Sequence, residues 1–294
     1  MSDKAKGFAA AILAAMFYGT NPLGSLPMYA DGVNSSTVLF YRYAFAVAMF
    51  AVLLLLRGQS LRIKWGHAIR LAMLGVFFSL SSITLYLSFH HMAAGIASTL
   101  LFVYPVMTAV LMAAFFHERI TWRTACSILL ALLGVALLYR GDGGGRLSMT
   151  GFTLVMVSSL VYSLYIVAVN QWKTDIPPMK FTFWVLLFGW AAIVVYSLLA
   201  GEPLALALPT TRSWLCALQL ALMPTVLSLY FMTVGIKLIG STPSAIMGAL
   251  EPVTAVVIGL LLFGEQVSGR MLLGIALILG AVTLIILRKK TVKA

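Results

Sequence analysis

One feature constrains this chain more than any other: it reads as a single unit written twice, with an odd number of apolar segments in each copy. Sliding the second half back by about 145 positions brings landmarks together. Gly7-Phe8 and Tyr18 fall on Gly151-Phe152 and Tyr162, Pro105 falls on Pro252, and Glu118 falls on Glu265. Each copy holds five apolar runs. If those runs cross a membrane, the second copy starts on the opposite side from the first, so the two copies must be inverted. Inverted repeats in a membrane place a solute site near the midplane, between the halves.

Composition requires the membrane. Hydrophobic residues make up 62% of the chain and charged residues only 10%, whereas a soluble domain carries roughly 25% charged residues. Crossing a core of ~30 Å takes about 20 helical residues. Ten runs are long enough, near 7–29, 35–56, 67–89, 93–116, 122–140, 150–171, 179–200, 213–236, 242–263 and 270–287. Lipid offers no partner for backbone polar groups, so each run is expected to be a helix. The expected fold is therefore an all-α integral membrane protein of ten transmembrane helices, built as two inverted five-helix repeats over residues 1–142 and 146–294. Gly141-Asp142-Gly143-Gly144-Gly145 reads as the flexible joint between them.

The net charge of +12 raises the question of nucleic acid, and its distribution answers it. With the N-terminus in the cytoplasm, fifteen Lys and Arg fall on the cytoplasmic side. Four fall outside (Arg140, Arg146, Arg212 and Arg270), and Arg42 lies within a span. The positive-inside rule then sets both termini in the cytoplasm, as an even number of spans requires. The basic excess marks topology and contact with anionic lipid headgroups rather than nucleic acid. A bacterial inner membrane is the expected location. The N-terminal run is longer than the 7–15 residues of a signal-peptide core. Cys126 and Cys216 sit in or beside spans and give no disulfide framework. The four histidines show no ligand spacing, so neither a metal nor a cofactor is expected.

The last two spans of each half share a pattern: a proline, twelve residues, then a glutamate. It runs from Tyr104-Pro105-Val106-Met107-Thr108-Ala109-Val110 to His117-Glu118-Arg119, and from Leu250-Glu251-Pro252-Val253-Thr254-Ala255-Val256 to Gly264-Glu265-Gln266. With this pattern, and with Arg42 near the start of span two, the chain resembles the drug/metabolite transporter superfamily in its ten-span EamA-type branch. The resemblance covers nearly the whole chain. It implies a central cavity lined mainly by spans 1, 3, 4, 6, 8 and 9, with spans 5 and 10 at the periphery in scaffold or dimer contacts.

Candidate site residues follow from the residues themselves. Of the eight acidic residues only Glu251 lies deep in a span, ~12 Å from its start and close to the midplane. An acid there costs several kcal/mol unless it is partnered or neutral, which makes it a candidate for solute binding or proton coupling. A scaffold role, bonded to a neighbouring helix, is the competing reading. Arg42 lies roughly 9 Å from the external end of span two. It can attract an anionic group, bond the carbonyls of a broken helix, or snorkel to the interface, and a structural role is favoured. Pro22 and Pro27 in span one, Pro105 in span four, Pro224 in span eight and Pro252 in span nine each delete a helix donor. Such breaks are tolerated where protein covers them or where they line a wet cavity. Asn21, in the bendable stretch Gly19–Gly24, is a candidate solute contact. Tyr162 and Tyr165 share a helical face with Ser158. With Tyr86, Tyr104 and Tyr230 they can bind an apolar or ring-bearing solute and offer it a hydroxyl. Tyr104 occupies the repeat position of Glu251. Gly7, Ala11, Ala15 and Gly19 form a small-residue stripe that lets a neighbouring helix approach closely.

The function expected is secondary transport of a small organic metabolite, such as an amino acid or related amphipathic solute, in the export direction and by alternating access, by a monomer or homodimer. A membrane-embedded enzyme or lipid-handling protein is the alternative. A lone buried acid, without a second acid or clustered histidines beside it, argues against that.

Overall fold

The computed structural model describes residues 2–92, 97, 100–138, 148–172, 174–251, 253–254, 257 and 269–286. The glycine run 141–145, Pro252 and Glu265 lie outside these residues. The described chain is all-helical, with no strand. In chain order the helices are α1 (Asp3–Tyr18), α2 (Asn21–Ala30), α3 (Ser35–Leu56), α4 (Trp65–Ser88), α5 (Tyr104–Phe116), α6 (Trp122–Leu138) and α7 (Met149–Gln171). There follow α8 (Pro178–Ala200), α9 (Thr211–Ala221), α10 (Ser228–Ile239), α11 (Ser241–Met247) and α12 (Gly269–Ile286). A π-helical turn, Leu222–Leu227, joins α9 to α10, so the two run as one 29-residue helix, Thr211–Ile239.

Five described helices are long and apolar enough to cross a membrane: α3, α4, α7, α8 and the continuous α9–α10. α5, α6 and α12 are shorter apolar helices. The first apolar run is not one helix but two, interrupted at Gly19-Thr20. Side-chain caps fix several starts by accepting a bond from an otherwise orphaned backbone N–H. Ser2 caps α1, Asn34 caps α3, Ser148 caps α7 and Thr210 caps α9.

Several pairs of helices pack closely against one another. α1 lies on α10, as α7 lies on α4. α5 packs on α7, as α11 packs on α1. α4 lies against α8, as α3 lies against α9. α3 meets α8, α5 meets α11, and α6 packs against α12. Glycines set the closest of these approaches. A Cβ on Gly75 of α4 would stand 2.6 Å from the Val185 carbonyl and 2.8 Å from the Gly189 nitrogen of α8. A Cβ on Gly134 of α6 would stand 2.7 Å from the Gly274 carbonyl of α12. The small-residue stripe of α1 packs as its spacing implies: Gly7 against Ile239, Ala11 against Gly235 and Gly19 against the Glu251 backbone.

Contacts between loops sort them into two ends. At one end Lys180 bonds the Arg62 carbonyl, Trp184 bonds the Leu61 carbonyl and Lys237 bonds the Ile176 carbonyl. Arg70 lies over Trp172, and Thr242 donates to Glu118. At the other end Asn34 bonds the Pro203 carbonyl, Ser36 donates to Glu202, and Asp31 accepts from Thr210 and Ser213. The basic loops thus share one end and acidic Asp31 and Glu202 the other. Large apolar side chains such as Leu56, Leu198 and Leu199 are exposed on the flanks, while many serines and threonines are buried. A lipid-facing surface produces this inversion, because hydrocarbon accepts leucine and excludes unpaired hydroxyls.

Candidate functional site

Each proline that interrupts a helix leaves a carbonyl four residues earlier without its donor. Pro105 deprives the Leu101 carbonyl, and the Ser159 hydroxyl of α7 supplies the missing bond at 3.1 Å. Pro224 deprives the Leu220 carbonyl, and the Thr225 hydroxyl supplies that bond at 2.7 Å. The interruption of the first run is tied to α9, where the Gln219 amide donates to the Thr20 carbonyl at 3.3 Å. The chain turns again at Gly248-Ala249, just past α11. There the Tyr104 hydroxyl donates to the Ala245 carbonyl at 3.1 Å and lies where a Cβ on Gly248 would be. Four interrupted segments therefore meet in the interior, three held by a side chain from another helix and the fourth by Thr225 of its own π turn.

Arg42 is the node of one side. Its guanidinium is fully buried and does not snorkel. Nε donates to Thr225 Oγ1 at 2.6 Å, Nη1 to Tyr86 Oη at 3.0 Å and Nη2 to the Pro224 carbonyl at 3.3 Å. Tyr86 in turn donates to Asn21 Oδ1 at 2.9 Å. The Arg42 carbon Cζ lies 5.8 Å from the Tyr18 ring centroid and 6.0 Å from that of Tyr86, within cation–π range. One arginine thus joins α3, α4 and the π turn, and through Tyr86 reaches the first turn of α2. Of the three readings the sequence left open, bonding a broken helix's carbonyl is the geometry observed.

The other side is aromatic and acidic. Tyr104 and Tyr162 meet edge to face at 5.0 Å, and Tyr162 stacks on Tyr165 at 6.1 Å and 10°. Phe78 packs against both rings of the stack, 5.3 Å from Tyr165 and 6.4 Å from Tyr162. Glu251 is only 7% exposed. Its backbone carbonyl abuts Gly19, and the Tyr104 hydroxyl lies against Gly248, one helical turn before it. Repeat-related positions face each other in the same way. Ser163 of α7 donates to the Tyr104 carbonyl at 2.9 Å, and Gly19, its counterpart at the end of α1, abuts the carbonyl of Glu251, the counterpart of Tyr104.

The fold thus brings together Asn21, Arg42 and Tyr86 as one hydrogen-bonded group, and Tyr104, Tyr162, Tyr165 and Glu251 as another. Tyr230 joins neither group: it is half-buried, and its ring contact is with Phe231. Sequence reasoning left out several participants, Tyr18, Thr225 and Ser159 among them. Tyr18 lies under the Arg42 guanidinium, and its chain neighbour Gly19 abuts the Glu251 carbonyl. Thr225 and Ser159 mend the proline breaks. Tyr18 had a signal, since it aligns with Tyr162 in the repeat. Thr225 had one too, as a hydroxyl next to a mid-span proline. Ser159 had none, because its partner lies on another helix.

Comparison with known proteins gives a consistent result. The model of the EamA-like transporter family matches residues 5–140 and 149–287. A protein of Archaeoglobus fulgidus described as an uncharacterized transporter is 27% identical over 279 residues, covering 94% of each chain. The uncharacterized transporter YdfC of Bacillus subtilis is 27% identical over 240 residues, covering 81% of this chain and 76% of its own. A solved protein crystal structure superposes with a TM-score of 0.80 at 18% identity. It covers 95% of this chain and 96% of that one, and shows a shared fold.

Proposed function

The chain belongs to the EamA-like transporter family, and on that premise we propose that it is a secondary transporter exporting a small organic metabolite by alternating access. That it is a multi-pass membrane transporter follows from the family and from its apolar helices; solute, direction and mechanism are our reading. One observation carries it: four interrupted segments converge on a buried cluster that holds both an arginine and an acid. Interrupted helices at membrane depth are the usual setting of a solute site between inverted repeats.

Residues 1–142 and 146–294 are the two halves in this reading. Two features support it. The family matches the chain in two successive stretches. Several helix pairs, α1 with α10 and α7 with α4 among them, also exchange with one another when each span is replaced by its counterpart five spans later. The solute contacts are Asn21, Tyr86, Tyr104, Tyr162, Tyr165 and Glu251, with Tyr230 nearer the edge. Arg42 holds the interrupted span eight in register. The basic end faces the cytoplasm with both termini, in a cell membrane, and α6 with α12 offers the face for a homodimer. Glu251 is the candidate for coupling to protons.

The test is saturable flux in proteoliposomes. Amino acids, nucleobases and aromatic amines would be offered with and without a pH gradient. Saturable counterflow of at least one class, absent from empty vesicles, is the expected result. Unsaturable conductance would instead indicate a channel, and no flux of any class would overturn the proposal.

A further inference from the structure

Spans one and eight lie side by side, and their interruptions face each other. On the basic side α1 packs on α10, and on the acidic side α2 packs on α9. Both pairs are close. A Cβ on Gly7 would stand 2.6 Å from Ile239 Cγ2, and one on Gly235 would stand 3.1 Å from Ala11 Cβ. A Cβ on Gly24 of α2 would stand 2.6 Å from Leu220 Cγ and 2.9 Å from the Cys216 carbonyl of α9. Asp31, just past α2, accepts from Thr210 and Ser213 at the start of α9, at 2.7 and 2.6 Å. Between the two pairs lie Gly19-Thr20 in one span and the π turn Leu222–Leu227 in the other. Gln219 joins the interruptions by donating to the Thr20 carbonyl and hydroxyl at 3.3 and 3.2 Å. Arg42 touches both, bonding the Pro224 carbonyl and lying 5.8 Å from the Tyr18 ring centroid.

Helices bend where the regular ladder of backbone bonds is broken, at prolines and π turns above all. The pair formed by α4 and α7 offers no such place, since both run unbroken for 24 and 23 residues. Tyr162, which aligns with Tyr18 in the repeat, is followed by continuous helix to Gln171. The seam between α2 and α4 is of another kind again. The Tyr29 ring lies 6.1 Å from Tyr86 and 6.2 Å from His90. Ser35, at the start of α3, bonds the Tyr29 hydroxyl at 3.4 Å and His90 Nε2 at 3.0 Å. Deeper in, Tyr86 donates to Asn21. Side-chain tips make this seam, so it parts at less cost than the pairs in which glycines bring backbones together. On its other flank α9 meets α3 through the Trp214 ring against Tyr41 and Phe45, a contact of the kind along which packed helices slide.

We propose that α2 and α9 form one gate leaf at the acidic end, which bends away from α4 about the paired interruptions Gly19-Thr20 and Leu222–Leu227, with Tyr29 against Tyr86 and His90 as its latch. The α4–α7 pair stays straight and moves only as whole helices. The two ends of the molecule therefore open by different motions. A ten-residue helix such as α2 is about 15 Å long, so a bend of about 20° carries its tip roughly 5 Å. The proposal deepens the transport reading above and rests on it only for what passes the leaf. The motion itself can be measured without flux.

Spin-label pairs would be read by double electron–electron resonance in nanodiscs, with Cys126→Ser and Cys216→Ser as background. Labels at the exposed positions Ala30 and Phe152 span the seam, and labels at Met16 and Ala30 span the interruption of span one. Both pairs should give two distances differing by about 5 Å. Labels at Val157 and Gln171, equally spaced along unbroken α7, and at Ala30 and Leu215, within the leaf, should each give one. His90→Ala should raise the longer component of the 30–152 pair by about threefold to tenfold, since it removes a ring contact and a hydrogen bond. In the unmodified protein, amide hydrogen exchange should be faster through residues 19–23 and 222–227 than at the same depth in α4 and α7. That measurement decides the matter even if the labelled variants fail to fold. A single unchanged 30–152 distance with and without His90→Ala, equal spread in the 16–30 and 157–171 pairs, or exchange no faster at the interruptions would each overturn the proposal. Leaf motion without saturable flux would refute transport alone. Saturable flux of any solute class named above, undiminished when Tyr29→Cys and His90→Cys are joined by a short methanethiosulfonate linker, would refute the gate alone.

Discussion

The bond from Arg42 to Thr225 lends itself to a double-mutant cycle. Thr225 sits in a relay: it accepts from Arg42 Nε at 2.6 Å and donates to the Leu220 carbonyl at 2.7 Å. Thr225→Val removes both bonds. It orphans a buried carbonyl and a guanidinium N–H, at about 1–2 kcal/mol each, so it should destabilise by about 2–4 kcal/mol. The effect of Arg42→Met alone is set by opposing terms. The Pro224 carbonyl loses its side-chain donor, but the cost of burying a guanidinium also disappears. Its net sign is therefore the less informative measurement. In the Arg42→Met background, however, Thr225→Val can cost only the Leu220 share. The difference is the coupling, expected at about 1–1.5 kcal/mol. Interhelical bonds in membranes average near 0.6 kcal/mol and reach about 1.7, and this one is short and charge-assisted. Reversible unfolding by dodecyl sulfate titration in mixed micelles would give the four free energies. Additivity within about 0.3 kcal/mol would refute the reasoning, since it would mean that the arginine and the threonine do not share a bond in the folded protein.

Reporters fused after residues 60 and 121 should read cytoplasmic and those after 31, 144 and 268 external; a cytoplasmic reading at 144 would abolish the five-span half. Gly75→Leu should destabilise by about 3 kcal/mol or more, because its Cβ would meet backbone atoms of α8 at 2.6 and 2.8 Å and overpacking against backbone cannot relax; unfolding in the same micelles reads it. Hydroxyl bonds from Ser213 and Thr210 hold the Asp31 carboxyl below its usual range. Its stabilising contribution is therefore present above the ordinary aspartate pKa of ~3.9 and lost as pH falls through the depressed value. Ser213→Ala should shift the acid-unfolding midpoint upward, and an unchanged midpoint would show that the contact does not form in solution.

Much of this protein was determined by order along the chain. Apolar runs long enough to span lipid, the caps at Ser2, Asn34, Ser148 and Thr210, and the proline interruptions are local consequences of side-chain and backbone chemistry, so they can be read residue by residue. The shared proline-to-glutamate spacing added a non-local expectation, that Tyr104 and Glu251 hold equivalent places. What the chain order could not give is which helix lies beside which, and at what rotation. Helical periodicity identifies a face but not its neighbour, and in lipid the outward face is as apolar as the inward one, so hydrophobicity does not orient a span. Only the packed structure shows Ser159 completing the bond that Pro105 removes, or Arg42 reaching a carbonyl 182 residues away. It alone sets Tyr18 beneath the arginine and Tyr230 against Phe231, away from both groups. These are properties of contact between helices, decided where glycines such as Gly19 and Gly75 let two backbones come close enough to fix the register of everything around them.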